Sequence, residues 1–306
     1  MLSKNEQELL NKISNVFSNI NTPISIRLNG AQYERKVSDT INIVTKKDKP
    51  GIDVFVKANA KGQTVQVPAI VSEGGIKDIV YNTFDIGENS EVEIIAGCGI
   101  CNESSDNTEH DGTHEIIVRK NAKVKYIEKH IGIGHGHGKR ILSPSTVVEV
   151  MEGGFIEMDT TQIKGVDDAV RETIVYLHDN AKAIIKEKIM SAENQKAVSK
   201  VKVFLEGENS SAQVISKSVS RDNSHLSFFT EMTGKNKCKG HIQCDSIIMD
   251  NARVESTPKI SAMDSQAELI HEAAIGRIES DQLTKLMTLG IEQNDAEKII
   301  IDSFLK

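Results

Sequence analysis

The 306-residue chain carries 37 Lys+Arg against 44 Asp+Glu, a formal net charge of −7. An acidic balance mixed along the chain argues against a general nucleic-acid binder, which needs a basic face. No apolar run approaches the ~18 residues that span a bilayer, and Met1 to Glu6 lack the basic and apolar regions of a signal peptide.

The first element reads as a helix. Ser3 and Glu6 form a capping box, and Leu9, Ile13, Val16 and Ile20 recur at helical spacing until Asn21-Thr22-Pro23 ends the run. Ile24, Ile26 and Leu28 then alternate with polar neighbours as in a strand. Residues 30–60 carry few distinctive signals.

From about residue 50 to 278 the chain is made of short alternating runs separated by Gly, Asn and Asp. Val54 and Val56, Val65 and Val67, and Val92 and Ile94 stand two apart, as half-buried strands require. A corner motif recurs: Glu88-Asn89-Ser90-Glu91-Val92, Lys120-Asn121-Ala122-Lys123-Val124, Asp179-Asn180-Ala181-Lys182-Ala183 and Asp250-Asn251-Ala252-Arg253-Val254. Each copy turns the chain and starts another strand, the pattern of stacked coils in a β-helix. A β-sandwich explains the same alternation. The end reverts to helix, with Leu283, Leu286 and Met287 on one stripe broken at Gly290. Asn294 then caps a second helix with Ala296, Ile299, Ile300 and Phe304 on its face. The expected organisation is an N-terminal helix-and-strand segment (1–49), a β-helix core (50–278) and a C-terminal helical segment (279–306).

The run from Gly132 to Arg140 is rich in glycine but fits neither the P-loop nor the dinucleotide fingerprint, so no nucleotide is expected on this chain. Without Trp and with four Tyr, the chain offers few aromatic faces for sugars. Neither a G-x-S-x-G elbow nor an H-E-x-x-H helix is present.

Four cysteines do not make a disulfide framework in a chain of this length and read as reduced, cytoplasmic thiols. Cys98-Gly99-Ile100-Cys101 can share a soft metal, cycle through a disulfide, or be an incidental pair. His110, His114, His130, His135 and His137 follow, and His135 and His137 would share a face of an extended strand. Cys244 lies in an alternating strand; His271 and Glu272, adjacent in apolar surroundings, would point to opposite faces of a regular strand.

Gln243-Cys244-Asp245-Ser246, Ala267-Glu268-Leu269-Ile270-His271-Glu272-Ala273, Ser280-Asp281-Gln282-Leu283 and Leu289-Gly290-Ile291 together resemble the C-terminal signature of the SufB/SufD family. Ala96-Gly97-Cys98 and Asn121-Ala122-Lys123-Val124-Lys125-Tyr126 resemble its central region. The resemblance implies a right-handed parallel β-helix with helical ends. It implies a non-enzymatic scaffold for a transient iron–sulfur cluster, working with a SufC-like ABC ATPase that docks on the C-terminal helices. Cys98 matches the family's acceptor of sulfur from a cysteine desulfurase or other donor, and Cys244 the second, cluster-assembling cysteine. Glu272 matches the acidic residue of SufB-type members and His271 the histidine of SufD-type members, while His130 matches a residue lining the sulfur route. Cys101 departs from the common bacterial pattern. Because one chain holds Cys244, Glu272 and His271 together, the expectation is a homodimer whose final coils meet. Cys101, His130, His135 and His137 are candidate accessory groups, and the competing reading is a stand-alone metal- or thiol-redox protein using Cys98 and Cys101.

Overall fold

The computed structural model describes residues 2–14, 22–163 and 165–306. It opens with helix α1 (Lys4–Ile13), where Ser3 and Glu6 form the expected capping box. Val16, Ile20 and Asn21, assigned above to the same helix and its end, lie outside the described residues. The first strands are β1 (Ile24–Leu28), β2 (Ala31–Lys36), β3 (Ile41–Thr45), β4 (Gly51–Val56), β5 (Gln63–Val71), β6 (Lys77–Ile86) and β7 (Glu91–Cys101). Next come β8 (Thr108–Val118), β9 (Lys123–Ile133), β10 (Arg140–Leu142), β11 (Ser145–Val150), β12 (Phe155–Ile163), β13 (Asp168–Leu177) and β14 (Lys182–Ser191). The last are β15 (Lys196–Leu205), β16 (Ser210–Ser220), β17 (His225–Gly234), β18 (Cys238–Ile248), β19 (Arg253–Ala262) and β20 (Glu268–Gly276), followed by helices α2 (Ser280–Thr288) and α3 (Gln293–Phe304).

Alternate strands join alternate sheets. One ten-stranded sheet runs β2-β1-β5-β7-β9-β12-β14-β16-β18-β20. The other runs β3-β4-β6-β8, then the interrupted β10 and β11, then β13-β15-β17-β19. Pairing from β5 and β6 onward is parallel; β1 with β2 and β3 with β4 are the antiparallel exceptions. This is a parallel β-solenoid, not a sandwich. The first strands extend both sheets at the N-terminal end, β1 pairing with β5 and β4 with β6.

The corners follow from backbone sterics. Asn89, Asn121 and Asn180 adopt left-handed φ of 56°, 56° and 57°, which Asn tolerates better than branched residues. In the fourth copy Asp250 takes this role at 54°. The next small residue, Ser90, Ala122 or Ala181, is fully buried, and its N–H donates to the carbonyl three residues back. Asn121 also donates to Asn89 of the coil before, 3.3 Å away, so the corners stack. Between the sheets, Val54, Val65, Val92, Ile94, Val124 and their counterparts form one continuous apolar core, each fully buried side chain contributing about 1.5–3 kcal/mol.

At the C-terminus, Gly290 ends α2 with φ of 85°, as expected. The start of α3 differs from expectation: Glu292, not Asn294, is the N-cap residue, and its side chain makes no capping bond. Ala296 and Ile301 are the buried residues of α3, and Ile301 packs with Val219 and Ile247 on the outer face of the solenoid. Ile299, expected on the packed face, is exposed.

Candidate functional site

Strand β7 decides where the cysteines go. Val92, Ile94, Ala96, Cys98 and Ile100 face the interior, while Gly97, Gly99 and Cys101 face outward beneath α1. A Cβ on Gly99 would lie 3.1 Å from Leu9 Cδ2, and one on Gly97 would lie 3.1 Å from Ile13 Cβ. The glycines thus seat a helix, rather than opening access to Cys98 as their position beside it suggests. Cys101 packs with Leu9, Leu10 and Ile13, accepts a hydrogen bond from Asn5 at 3.6 Å, and burial pushes its thiol up. The two thiols are on opposite faces of one strand, so the C-x-x-C spacing here makes neither a shared metal site nor a redox pair.

Cys98, 4% exposed, lies near polar groups from two other strands. His130 on β9 is its ladder neighbour, and His110 and His114 on β8 line the same cavity. His110 Nδ1 donates to Asp78 Oδ2 at 3.0 Å. Arg27 clamps Asp78 through Nε at 2.9 Å and Nη2 at 2.6 Å. Burial opposes ionisation of Asp78, but His110 and Arg27 hold it well below the usual carboxylate range. His110 Nε2 is buried without a hydrogen-bond partner, in the cavity that Cys98 also lines. Burial alone would raise the Cys98 thiol; His110, then His130, bring it down to about 7. Burial likewise works against a charged His110, yet Cys98 and Asp78 raise it to about 10. Arg27, Asp78, His110 and Cys98 thus form a row in which each group favours the opposite charge on the next.

His130 is different. Arg171 Nη2 donates to its Nδ1 at 2.8 Å, and because guanidinium cannot accept, Nδ1 carries no proton and the ring is neutral. Arg171 Nη1 also donates to Glu128 Oε2 at 2.7 Å. Despite complete burial, Arg171 keeps Glu128 ionised, well below the usual range.

From Glu128 a file of polar residues runs through the interior, one per strand at the same ladder position. Glu128 pairs with Thr160, Thr160 with Glu187, Glu187 with Ser216 and Ser216 with Cys244. All five are buried. Glu187 accepts from Ser199 at 2.6 Å and from Ser216 at 2.8 Å. Burial raises the Cys244 thiol, against smaller opposing hydrogen bonds involving Ser256 and Thr230.

At the far end, His271 and Glu272 separate as strand geometry requires. His271 pairs with Ile242, on the inward face that Cys244 shares, and its Nε2 is buried and unpartnered. Glu272 pairs with Gln243 on the outer face, is 64% exposed, and approaches His241 Nε2 at 3.5 Å. Among the described residues no group of three or more His, Cys, Asp or Glu is arranged to hold a metal ion.

A family model described as SUF system FeS cluster assembly, SufBD core domain, matches residues 76–304. The chain belongs to the SufBD family. Relatives named as iron–sulfur cluster assembly SufBD family proteins include one from Methanocaldococcus jannaschii, 30% identical over 77% of this chain and 74% of its own length. Another, from Archaeoglobus fulgidus, is 28% identical over 75% of this chain and 61% of its own length. A third, from Pyrococcus horikoshii, is 27% identical over 76% of this chain and 69% of its own length.

In this SufBD chain the matched region holds Cys98, His130, Cys244, His271 and Glu272. Cys98 and His130 are ladder neighbours, and the inward-facing polar row that starts at Glu128 on the same strand as His130 ends at Cys244. His135 and His137 are exposed, in the loop between β9 and β10. Gly136 and Gly138 take the inward positions there, where a Cβ would lie 2.3 Å from Ser104 O and 1.9 Å from Asp106 O. The histidines alternate with them and face solvent, so they share a loop surface, not a strand face, and stand apart from Cys98. Sequence reading passed over Asp78 and Arg27 and gave His110 no role. The signal was parity: His110 and His114 have the same parity as the buried Ile116 and Val118.

Proposed function

We propose that the chain is a scaffold subunit for iron–sulfur cluster assembly, in which Cys98 accepts sulfur and Cys244 presents it for cluster building. The observation that carries this reading is the polar file from Glu128 to Cys244, beginning beside the Cys98–His130 pair. Buried polar groups are costly in an apolar interior, and a row of them standing between the coils that carry the two thiols supports a functional reading. The cluster is cargo. Cys244 and His271 on the inner face and Glu272 on the outer would hold it only together with the same residues of a second copy, which makes the working unit a homodimer. The chain is not itself an enzyme; a SufC-like ABC ATPase in the cytoplasm, docking on α2 and α3 where Met287, Leu289 and Ile299 are exposed, supplies the energy. A cysteine desulfurase or another sulfur donor loads Cys98.

The test follows sulfur by peptide mass spectrometry. Charged with a persulfide donor, the wild type should carry added sulfur at Cys98 and then Cys244. Glu187→Gln, which keeps shape and removes the charge, should load Cys98 normally and leave Cys244 unmodified. Sulfur reaching Cys244 at the wild-type rate in Cys98→Ser or Glu187→Gln would refute the route.

A further inference from the structure

The cavity beside Cys98 opens at the N-terminal end of the solenoid. It has a volume of about 250 Å³, with Cys98, His110 and His114 at its floor and Gln32, Arg35, Thr45 and Pro50 toward solvent. Cys98 is too buried for a flat protein surface to touch, but the cavity has room for a molecule of amino-acid size.

The mouth is built for negative charge. Arg27 is neutralised by Asp78, but Arg35 has no carboxylate within 4.0 Å among the described residues. It donates instead to Thr45 Oγ1 at 2.8 Å and to Gln32 Oε1, neutral acceptors both, and its Nε is buried without a partner. A half-buried guanidinium held open by neutral groups favours an anion. At the floor, His110 is 2% exposed, anchored by Asp78 on one side, with Nε2 unpartnered in the cavity that Cys98 also lines.

We propose that this cavity is a loading chamber for a low-molecular-weight anionic persulfide, with Arg35 receiving the donor's carboxylate and Cys98, His110 and Asp78 acting as a nucleophilic triad. The proposal rests on Cys98 as the sulfur acceptor and adds the class of donor and the groups that activate the thiol. The chemistry balances within the site. The Cys98 thiolate attacks the terminal sulfur of R–S–S–H, and the donor's S–S bond breaks as the new one forms. The departing R–S⁻ takes the proton of the transferred sulfur and leaves as R–SH. Cys98–S–S⁻ remains beside the His110 imidazolium, and no outside oxidant or reductant is used. Asp78 and Arg27 are positioning residues: they fix the imidazole tautomer and orientation. The other charged or titratable groups facing this site are His114, His130, Glu128 and Arg171, of which Glu128 and Arg171 neutralise each other.

The test uses cysteine hydropersulfide as the small donor, a protein-borne persulfide as comparison, and neutral iodoacetamide to read thiolate content. Wild type should load from the small donor at pH 7. Arg35→Ala should need about tenfold more of it while reacting normally with iodoacetamide, since only ion pairing is lost. Asp78→Asn and His110→Gln, checked for folding by circular dichroism, should alkylate about tenfold more slowly at pH 7, with the pH profile moved upward. Loading and alkylation at wild-type rates in all three variants overturn the proposal. So does loading of Cys98 by the protein-borne donor alone, a result that leaves Cys98 as acceptor. If neither donor loads Cys98, the acceptor assignment falls as well.

Discussion

The interior of this solenoid holds ions that apolar burial disfavours, and each is kept by a named partner. Arg171 serves two groups at once, Glu128 at 2.7 Å and His130 at 2.8 Å. His114 is the exception, held neutral instead of paired with a charge. Tyr126 Oη donates to its Nδ1 at 3.0 Å, and Phe84 lies against the ring. Burial is the main reason its pKa falls from 6.5 to about 4, with His110 and Arg171 adding repulsion against the opposing pull of Glu128. Between those values the unfolded chain binds a proton that the native state refuses, so stability falls as pH drops through that window. We predict a loss approaching about 1.4 kcal/mol per pH unit in the wild type relative to His114→Gln, whose amide still accepts from Tyr126. Urea midpoints at pH 7, 5.5 and 4.5 measure it. Parallel pH curves for the two proteins would show that His114 is not the group responsible.

At the scale of the element, strand alternation made much of the architecture legible and also concealed the site. Val54, Val65 and Val92 stand on inward positions as their spacing says. The Asn corners turn the chain where a left-handed residue is needed. What periodicity cannot give is the offset between coils, 32 residues at Lys125–Glu93 and 28 at Lys259–Glu231. That offset, set by irregular corners, is what brings Cys98 against His130 and Asp78 against His110. Polar residues at inward parity were readable, but an apolar core was the expectation there. Strand β7 is the converse case: Gly97 and Gly99, a residue type that weakens a strand interior, here form a seat for α1. We predict that Gly99→Val, whose added carbons would collide with Leu9, lifts α1 and costs about 1–3 kcal/mol. Cys101, 2% exposed and covered by that helix, should then react with thiol reagents under native conditions. Peptide mapping of alkylated protein separates it from Cys98. Protection of Cys101 equal to the wild type would mean the helix does not depend on that seat.

The molecule as a whole is asymmetric along its axis. Its N-terminal end is extended by β1–β4, which form two antiparallel pairs, with α1 laid beside β7. The C-terminal end stops on β19 and β20, each paired on one side only. Ile260, Met263 and Ile270 there are 45%, 70% and 56% exposed. Unpaired strand edges with apolar side chains are surfaces that other chains can extend. A second copy meeting this end through a two-fold axis presents the same residues from both sides, and Cys244, His271 and Glu272 are all on its last coils. Within one subunit, Cys244 and Glu272 face opposite sides of the sheet, so the proposed cluster site requires the partner to supply what each lacks. This gives a complementation test. Cys244→Ser and Glu272→Ala homodimers should each fail to assemble a cluster on anaerobic reconstitution with iron and sulfide. Unfolded together and refolded as a mixture, they form heterodimers in which an intact Cys244 faces an intact Glu272 across the interface. Cluster absorbance should return in the mixture. If both residues must come from one chain, the mixture stays as inactive as its components, because no chain in it carries both. A wild-type protein that sediments as a monomer, alone and with the proposed ATPase, would remove the premise altogether.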